Sequence, residues 1–449
     1  MTRDMFRTSP PARALSLAAV LLSGAPTSVL AQAPAEASPT RPSSAPTYRG
    51  VVELDPATQR LAATWELALP TTTADQVVLL LNDGLEEVQV DGPAVRDVQR
   101  DRQRGLTRLA VHLRANATTQ PFTLRVTTRG TLHLGDEGIN SVRPDYIELG
   151  LDSFWFPVLD GFPDITGTVR LRLPEGLRVV ASGRVTATQD TTTIQLTVPL
   201  PDLAFVAAPA LVSTAAPISS PEAVRVRTHH TTAPTALVEA MRDVAVQCAT
   251  YLNARYGRTQ PLPPVELVLP AREGPGYARK HYIVVSVGAW QGPADSARAR
   301  AISQTGFLCH ELAHYWSTGA VASGPDNWVN EGFAEFVSGR AVRTLVGNEA
   351  WAADLAQWRA RATRAGAVWT PDATARPDAN ASYGSVPLLL AQLETRVGEA
   401  AMDRVLSRFM TERHRTSAAV LALLAEELPA AHVTWFTEAL QQPRAGETP

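Results

Sequence analysis

The hydrophobic pattern of this chain changes period once, and that change limits the folds open to it. Between residue 48 and about residue 214, apolar residues recur at every second position, most plainly over 64–69, 124–127, 169–173 and 193–198. That alternation belongs to strands with one buried and one wet face. Turn chemistry at Asn82-Asp83-Gly84, Asp91-Gly92 and Pro174-Glu175-Gly176 separates them. Many short strands at this spacing predict an antiparallel sandwich or curved sheet. After about residue 232 the spacing becomes three and four. Leu237, Met241, Val244, Ala245, Cys248 and Leu252 predict a helix over 237–256, and Gly257 stops it. Residues 265–269 and 282–285 read as strands, and 295 to about 441 is mostly helical in pattern. The predicted fold class is therefore multi-domain α and β. An N-terminal antiparallel β domain over 47–218 precedes an α/β domain over 219–445 that becomes mostly helical toward its end.

Composition closes off several function classes. The chain has 41 basic and 44 acidic residues, a net charge of -3. Without a basic excess there is little to neutralise phosphates, so no nucleic-acid partner is expected. Two cysteines among 449 residues cannot make a disulfide scaffold. Arg3, Arg7 and Arg13 precede a short apolar run over 14–25, and Ser28-Val29-Leu30-Ala31 offers small residues for cleavage. Residues 1–31 read as a signal peptide and 32–46 as a flexible Pro/Ala/Ser/Thr linker. The expectation is a secreted or periplasmic protein with no membrane span once the signal is removed.

The chemistry concentrates at His310-Glu311-Leu312-Ala313-His314. Residues four apart on a helix differ by about 40° in direction, so both imidazoles reach one ion. Glu311, next to the first histidine, flanks the open coordination position, where a carboxylate takes a proton from a water that the ion activates. Glu331 follows far enough along for one helix to end and another to return, with Asp326 or Asn327 placed to cap it. Two histidines and a glutamate with one vertex left open are the ligand set of a single catalytic Zn2+. Glu335, one turn beyond Glu331, is placed to hold the outer nitrogen of a ligand histidine.

At these residues the chain resembles the aminopeptidase N family of gluzincin zinc metallopeptidases. The resemblance rests on His310-Glu311-Leu312-Ala313-His314-Tyr315-Trp316 and on Asp326-Asn327-Trp328-Val329-Asn330-Glu331-Gly332-Phe333-Ala334. It extends to Ser382-Tyr383-Gly384-Ser385-Val386-Pro387 and, in the β half, to Ser153-Phe154-Trp155-Phe156-Pro157-Val158. It implies a thermolysin-like catalytic domain, a peptide or protein substrate, Glu311 as general base, and Tyr383 as the donor that stabilises the developing oxyanion. The chain departs from the family in three ways. The spacing between His314 and Glu331 is shorter than usual, with the loss assigned to the loop 317–325. The family's Gly-x-Met-Glu-Asn strand is replaced by Gly274-Pro275-Gly276-Tyr277-Ala278-Arg279-Lys280. The resemblance also implies a short member without the family's C-terminal helical domain.

Gly276, Tyr277, Ala278, Arg279 and Lys280 are the expected substrate-binding residues. Ala278 stands where the family carries its amine-binding glutamate, while Arg279 and Lys280 favour an acidic substrate group. The reading is a zinc metallopeptidase of atypical specificity. The alternatives are a true aminopeptidase using other acids, such as Glu148 or Glu273, and a non-catalytic zinc-stabilised scaffold. Asp152, in the β half, is a further candidate substrate contact, and His281 lies beside the expected strand. Cys309 points about 100° away from His310 and reads as a packed thiol, with a Cys248–Cys309 disulfide left open. His229-His230, on opposite faces of a strand, make a poor chelate.

Overall fold

The computed structural model describes residues 45–443, apart from 104, 116–118, 136–138, 201, 210, 216–223, 258–261, 263, 280, 281, 289–291, 318, 322, 323 and 413. The signal segment, almost all of the linker, the boundary near 219, Lys280 and His281 lie outside the described residues. Among the described residues, no helix is long and apolar enough to cross a membrane.

The first half is built from strands, as its alternation requires. A seven-stranded sheet runs, in spatial order, through Arg184–Ala187, Thr192–Leu200, Ile165–Arg172, Thr47–Asp55, Arg60–Leu69, Phe122–Thr131 and Glu87–Asp91. Two four-stranded sheets pack with it. One is centred on Gln76–Asn82 and Leu106–Leu113, the other on Phe205–Ala208 and Tyr146–Leu149. Tyr48, Val52 and Leu54 are the buried alternates of the first strand. Between the sheets, Trp155 meets Trp65, Phe156 and Phe205 edge-on at 5.8, 5.5 and 5.4 Å. Such rings fill the space that smaller residues would leave as voids. One pairing departs from the antiparallel expectation, because Thr47–Asp55 runs parallel to Ile165–Arg172. Parallel neighbours need a long crossover, which the strands between them supply.

The second half carries a five-stranded sheet in the order Val212–Ala215, Val226–His230, Val265–Leu269, Tyr282–Val284 and Tyr277–Arg279. Its inner pairings are parallel and its two outer ones antiparallel. Val212–Ala215 lies on the β side of a division at 218, yet it hydrogen-bonds into this sheet. Nine helices follow among the described residues: α1 Thr235–Tyr256, α2 Ala294–Ile302, α3 Thr305–Ser317, α4 Asn327–Leu345, α5 Asn348–Ala362, α6 Val386–Val397, α7 Glu399–Glu412, α8 Ser417–Glu427 and α9 Ala430–Leu440. A single π-helical turn, Ala381–Ser385, leads into α6. They share one apolar core, into which α3 turns Leu308, Leu312 and Ala313 and α4 turns Trp328, Phe333 and Val337.

Cys248 of α1 and Cys309 of α3 form a disulfide, which corrects the reading of Cys309 as a packed thiol. Counting angle from His310 told only where Cys309 does not point. The packing of α1 against α3 brings the partner sulfur to it. A second correction concerns the start of α4. Asp326 makes no side-chain cap there. Its Oδ1 instead accepts from the backbone N–H (2.8 Å) and hydroxyl (2.5 Å) of Ser417, tying α4 to the first turn of α8.

Candidate metal centre

α3 presents His310 and His314 on one face, four residues apart, as the 3.6-residue repeat dictates. α4 brings Glu331 against them. Its neighbour Gly332 permits this approach, since a Cβ there would lie 2.2 Å from Val386 Cγ1 at the head of α6. Asn330, just before Glu331, fixes the short connection between the helices. Its Oδ1 accepts from the N–H of Gly319 and of Ala320, each at 3.1 Å, and its Nδ2 donates to the Ala320 carbonyl at 3.0 Å.

His310, His314 and Glu331 are all buried, and their ligand atoms lie within 4.8 Å of one another. The closest approaches are shorter. The two Nε2 atoms are 3.1 Å apart, and Glu331 Oε2 is 3.6 Å from His310 Nε2 and 3.4 Å from His314 Nε2. Ligands about 2.0–2.1 Å from a tetrahedral zinc stand about 3.3–3.4 Å from one another. The three side chains therefore fit that ion in spacing as well as in chemical type. His310 Nδ1 donates to Glu335 Oε2 at 2.9 Å, because a carboxylate can only accept, and this turns the Nε2 lone pair toward the other two ligands. Glu335 is itself fixed by Trp358 Nε1 on α5, which donates to its Oε1 at 3.0 Å. Zinc affinity should fall about 10–100-fold in Glu335→Ala, measured by competition with a chromophoric chelator.

The remaining groups surround this triangle. Glu311 is only partly buried at the residue level, and desolvation raises its carboxyl, an effect the two imidazoles oppose. Burial also raises Glu331, but His314 and His310 outweigh it and hold the carboxyl well below the usual range. Tyr383 comes from the π-helical turn, its ring centroid 5.8 Å from that of His310. Burial, and then the Glu331 carboxylate, raise its hydroxyl well above the ordinary value, so it stays a proton-bearing donor. Gly384 lets this turn sit against α5, where a Cβ would come 2.5 Å from Arg361 Cβ. Arg376 was not foreseen from sequence. Its Nη2 lies 4.0 Å from the outer oxygen of Glu331, and its charge acts against the rise at Tyr383. It sits in an irregular segment where no pattern singles out one arginine.

Asp354 on α5 was also missed. Burial first, and the charge of Glu335 second, raise its carboxyl to about 7. The native protein thus keeps a proton that the unfolded chain releases near pH 4. The stability this lends is complete below the unfolded pKa and disappears as the pH rises through about 7. Asp354→Asn should be more stable than the wild type by roughly 1–3 kcal/mol at pH 8 and equal to it at about pH 3, below the unfolded pKa, as read from urea unfolding.

The substrate residues expected from sequence fare differently. Gly276 approaches α3 so closely that a Cβ would lie 2.6 Å from Phe307 Cζ. Tyr277, Ala278 and Arg279 form the edge strand of the five-stranded sheet, and all three are buried. Arg279 is not free for an acidic substrate. Its Nε donates to Asp202 Oδ2 at 2.6 Å and its Nη2 lies 3.6 Å from Asp152 Oδ1. Glu148, weighed as an amine anchor, is fully buried and bound by both Arg272 and Tyr146. His229 spans Ser213 and Glu266 across the sheet, in contacts of 2.8 and 2.5 Å.

No family model matches the chain, and no curated protein matches it in sequence. Solved structures do match its fold. Yeast LTA4 hydrolase superposes with a TM-score of 0.66 at 16% identity, over 90% of this chain and 68% of its own. The M1 zinc metallopeptidase from Deinococcus radiodurans gives 0.61 at 19%, over 90% and 94%. A variant of that metallopeptidase bound to a Tyr-Ser-Ala substrate gives 0.62 at 19%, over 90% and 95%. At such identities the likeness is one of architecture, and this chain has their two-part fold, a β domain ahead of a mostly helical one.

Proposed function

We propose that the chain is an exported zinc-dependent metallopeptidase of the aminopeptidase N type with atypical specificity. The observation that carries this is the triangle of His310 Nε2, His314 Nε2 and Glu331 Oε2, with Glu311 and Tyr383 beside it. The similar folds of LTA4 hydrolase and of a metallopeptidase holding a Tyr-Ser-Ala substrate support it. Export rests on the basic and apolar start of the sequence.

When bound, zinc supplies a Lewis acid that polarises the scissile carbonyl and acidifies water. The chain's own residues do the rest. Glu331 and the two histidines would hold the ion, and Glu335 keeps His310 in the tautomer that could bind it. Glu311, desolvated and therefore more basic than an exposed carboxylate, accepts the proton of the attacking water and passes it to the leaving amine. Tyr383 keeps its proton at neutral pH and donates a hydrogen bond to the oxygen on which charge develops.

Specificity follows from the edge strand. Ala278 faces the helical core and Arg279 is neutralised from within, so the strand displays no acid to hold a free amine. Peptides extending on both sides of the cut suit such an edge, which takes them by strand addition. The test is a cleavage profile of free-amine and N-acetylated peptides with protein of measured metal content. Cleavage of both kinds is expected. Cleavage of free-amine peptides alone would establish an aminopeptidase, and no cleavage by zinc-loaded protein would establish a scaffold.

A further inference from the structure

The strand Tyr277–Arg279 pairs with Tyr282–Val284 on one side only and ends the five-stranded sheet. Its side chains alternate, and all are committed. Tyr277 meets Tyr282 edge-on and belongs to one buried cluster with Tyr146, Val206 and Leu211 of the preceding half. Arg279 turns the same way, and Ala278 turns into the helical core. Backbone is what this edge has left to offer a ligand.

Two buried arginines hold that backbone. Arg272 Nη1 donates to the carbonyls of Glu273 and Pro275, at 3.1 and 3.0 Å. Arg279 Nη1 donates to the carbonyl of Ala278 at 3.0 Å. Each arginine is fixed in turn by an acid of the β half. Glu148 takes Arg272 Nε and Nη2 at 2.6 and 2.7 Å and also accepts from the Tyr146 hydroxyl at 2.7 Å. Asp202 takes Arg279 Nε at 2.6 Å. All four charged residues are at most 6% exposed. Buried ion pairs of this kind are weak stabilisers, and apolar residues of similar volume often serve stability as well or better. Their use here is in orientation. A carbonyl held by a guanidinium fixes its peptide plane, and with it the N–H on the other side of that plane.

We propose that Arg272 and Arg279 are positioning residues that set the peptide planes following Pro275 and Ala278 for an extended peptide laid along this edge, and that the β half governs substrate binding through Glu148 and Asp202. This rests on the peptidase reading and specifies how the substrate backbone is met.

The test replaces one pair by apolar residues, Asp202→Leu with Arg279→Met, in the full zinc-loaded chain. Two probes are titrated: acetohydroxamate, which spans the metal site alone, and an N-acetylated tripeptide hydroxamate, which also reaches the edge strand. The expected result is an unchanged melting temperature, zinc content and acetohydroxamate affinity, with tripeptide affinity lowered at least about tenfold. Wild-type affinity for both probes in the double variant would overturn the inference alone. Failure of the zinc-loaded wild type to bind either probe would overturn the peptidase reading and this inference with it. Asp202→Asn carries the same comparison should the double variant not fold.

Discussion

Glu311→Gln should keep its zinc and lose turnover by about 10³-fold or more. The carboxylate lies one residue after His310 and is not among the three ligand atoms that lie within 4.8 Å of one another. The amide preserves its size and its packing on α3 while removing the one property the proposed reaction needs from it, an available base. Elemental analysis and turnover on a cleaved peptide, measured on one preparation, check both halves of this. Loss of zinc would mean that Glu311 is a ligand, and undiminished turnover would mean that another group takes the proton.

Arg340→Ala should lower stability by about 3–5 kcal/mol while leaving zinc affinity unchanged. Arg340 lies nine residues beyond Glu331 on α4, away from the metal, and its side chain is only 1% exposed. Its Nη1 donates to Asp403 at 2.6 Å and its Nε lies 2.9 Å from Glu394, so one guanidinium joins α4 to both α6 and α7. Truncation leaves Glu394 with Arg343 as its remaining partner and opens a void where the stem lay. Thermal unfolding with a parallel zinc titration would check this. A loss of metal affinity matching the loss of stability would show that the network also shapes the site.

The elements most open to reading from sequence were those whose evidence is local. Helix α1 and the strands Val265–Leu269 and Tyr282–Val284 follow from apolar spacing alone. The convergence of His310, His314 and Glu331 follows from spacing on two consecutive helices. What stayed hidden depends on partners distant in the chain. Arg279 reads as a substrate group until Asp202, 77 residues earlier, is seen against it. Glu148 reads as an amine anchor until Arg272, 124 residues later, takes both its oxygens. Neither partner carries a sequence signal, because an ion pair formed by tertiary packing imposes no spacing. Asp354 is a similar case, since its raised carboxyl comes from burial and from Glu335 on the preceding helix.

The Cys248–Cys309 link bears on how the protein is handled at the bench. Both sulfurs are fully enclosed, and one belongs to the residue just before His310. Dithiothreitol would therefore meet this molecule twice, first as a dithiol chelator of any zinc held at the three side chains and later, as α1 and α3 part, cutting the covalent strut behind that site. A preparation inert after storage in that reagent says little about the native protein, and a phosphine carries only the second of these hazards.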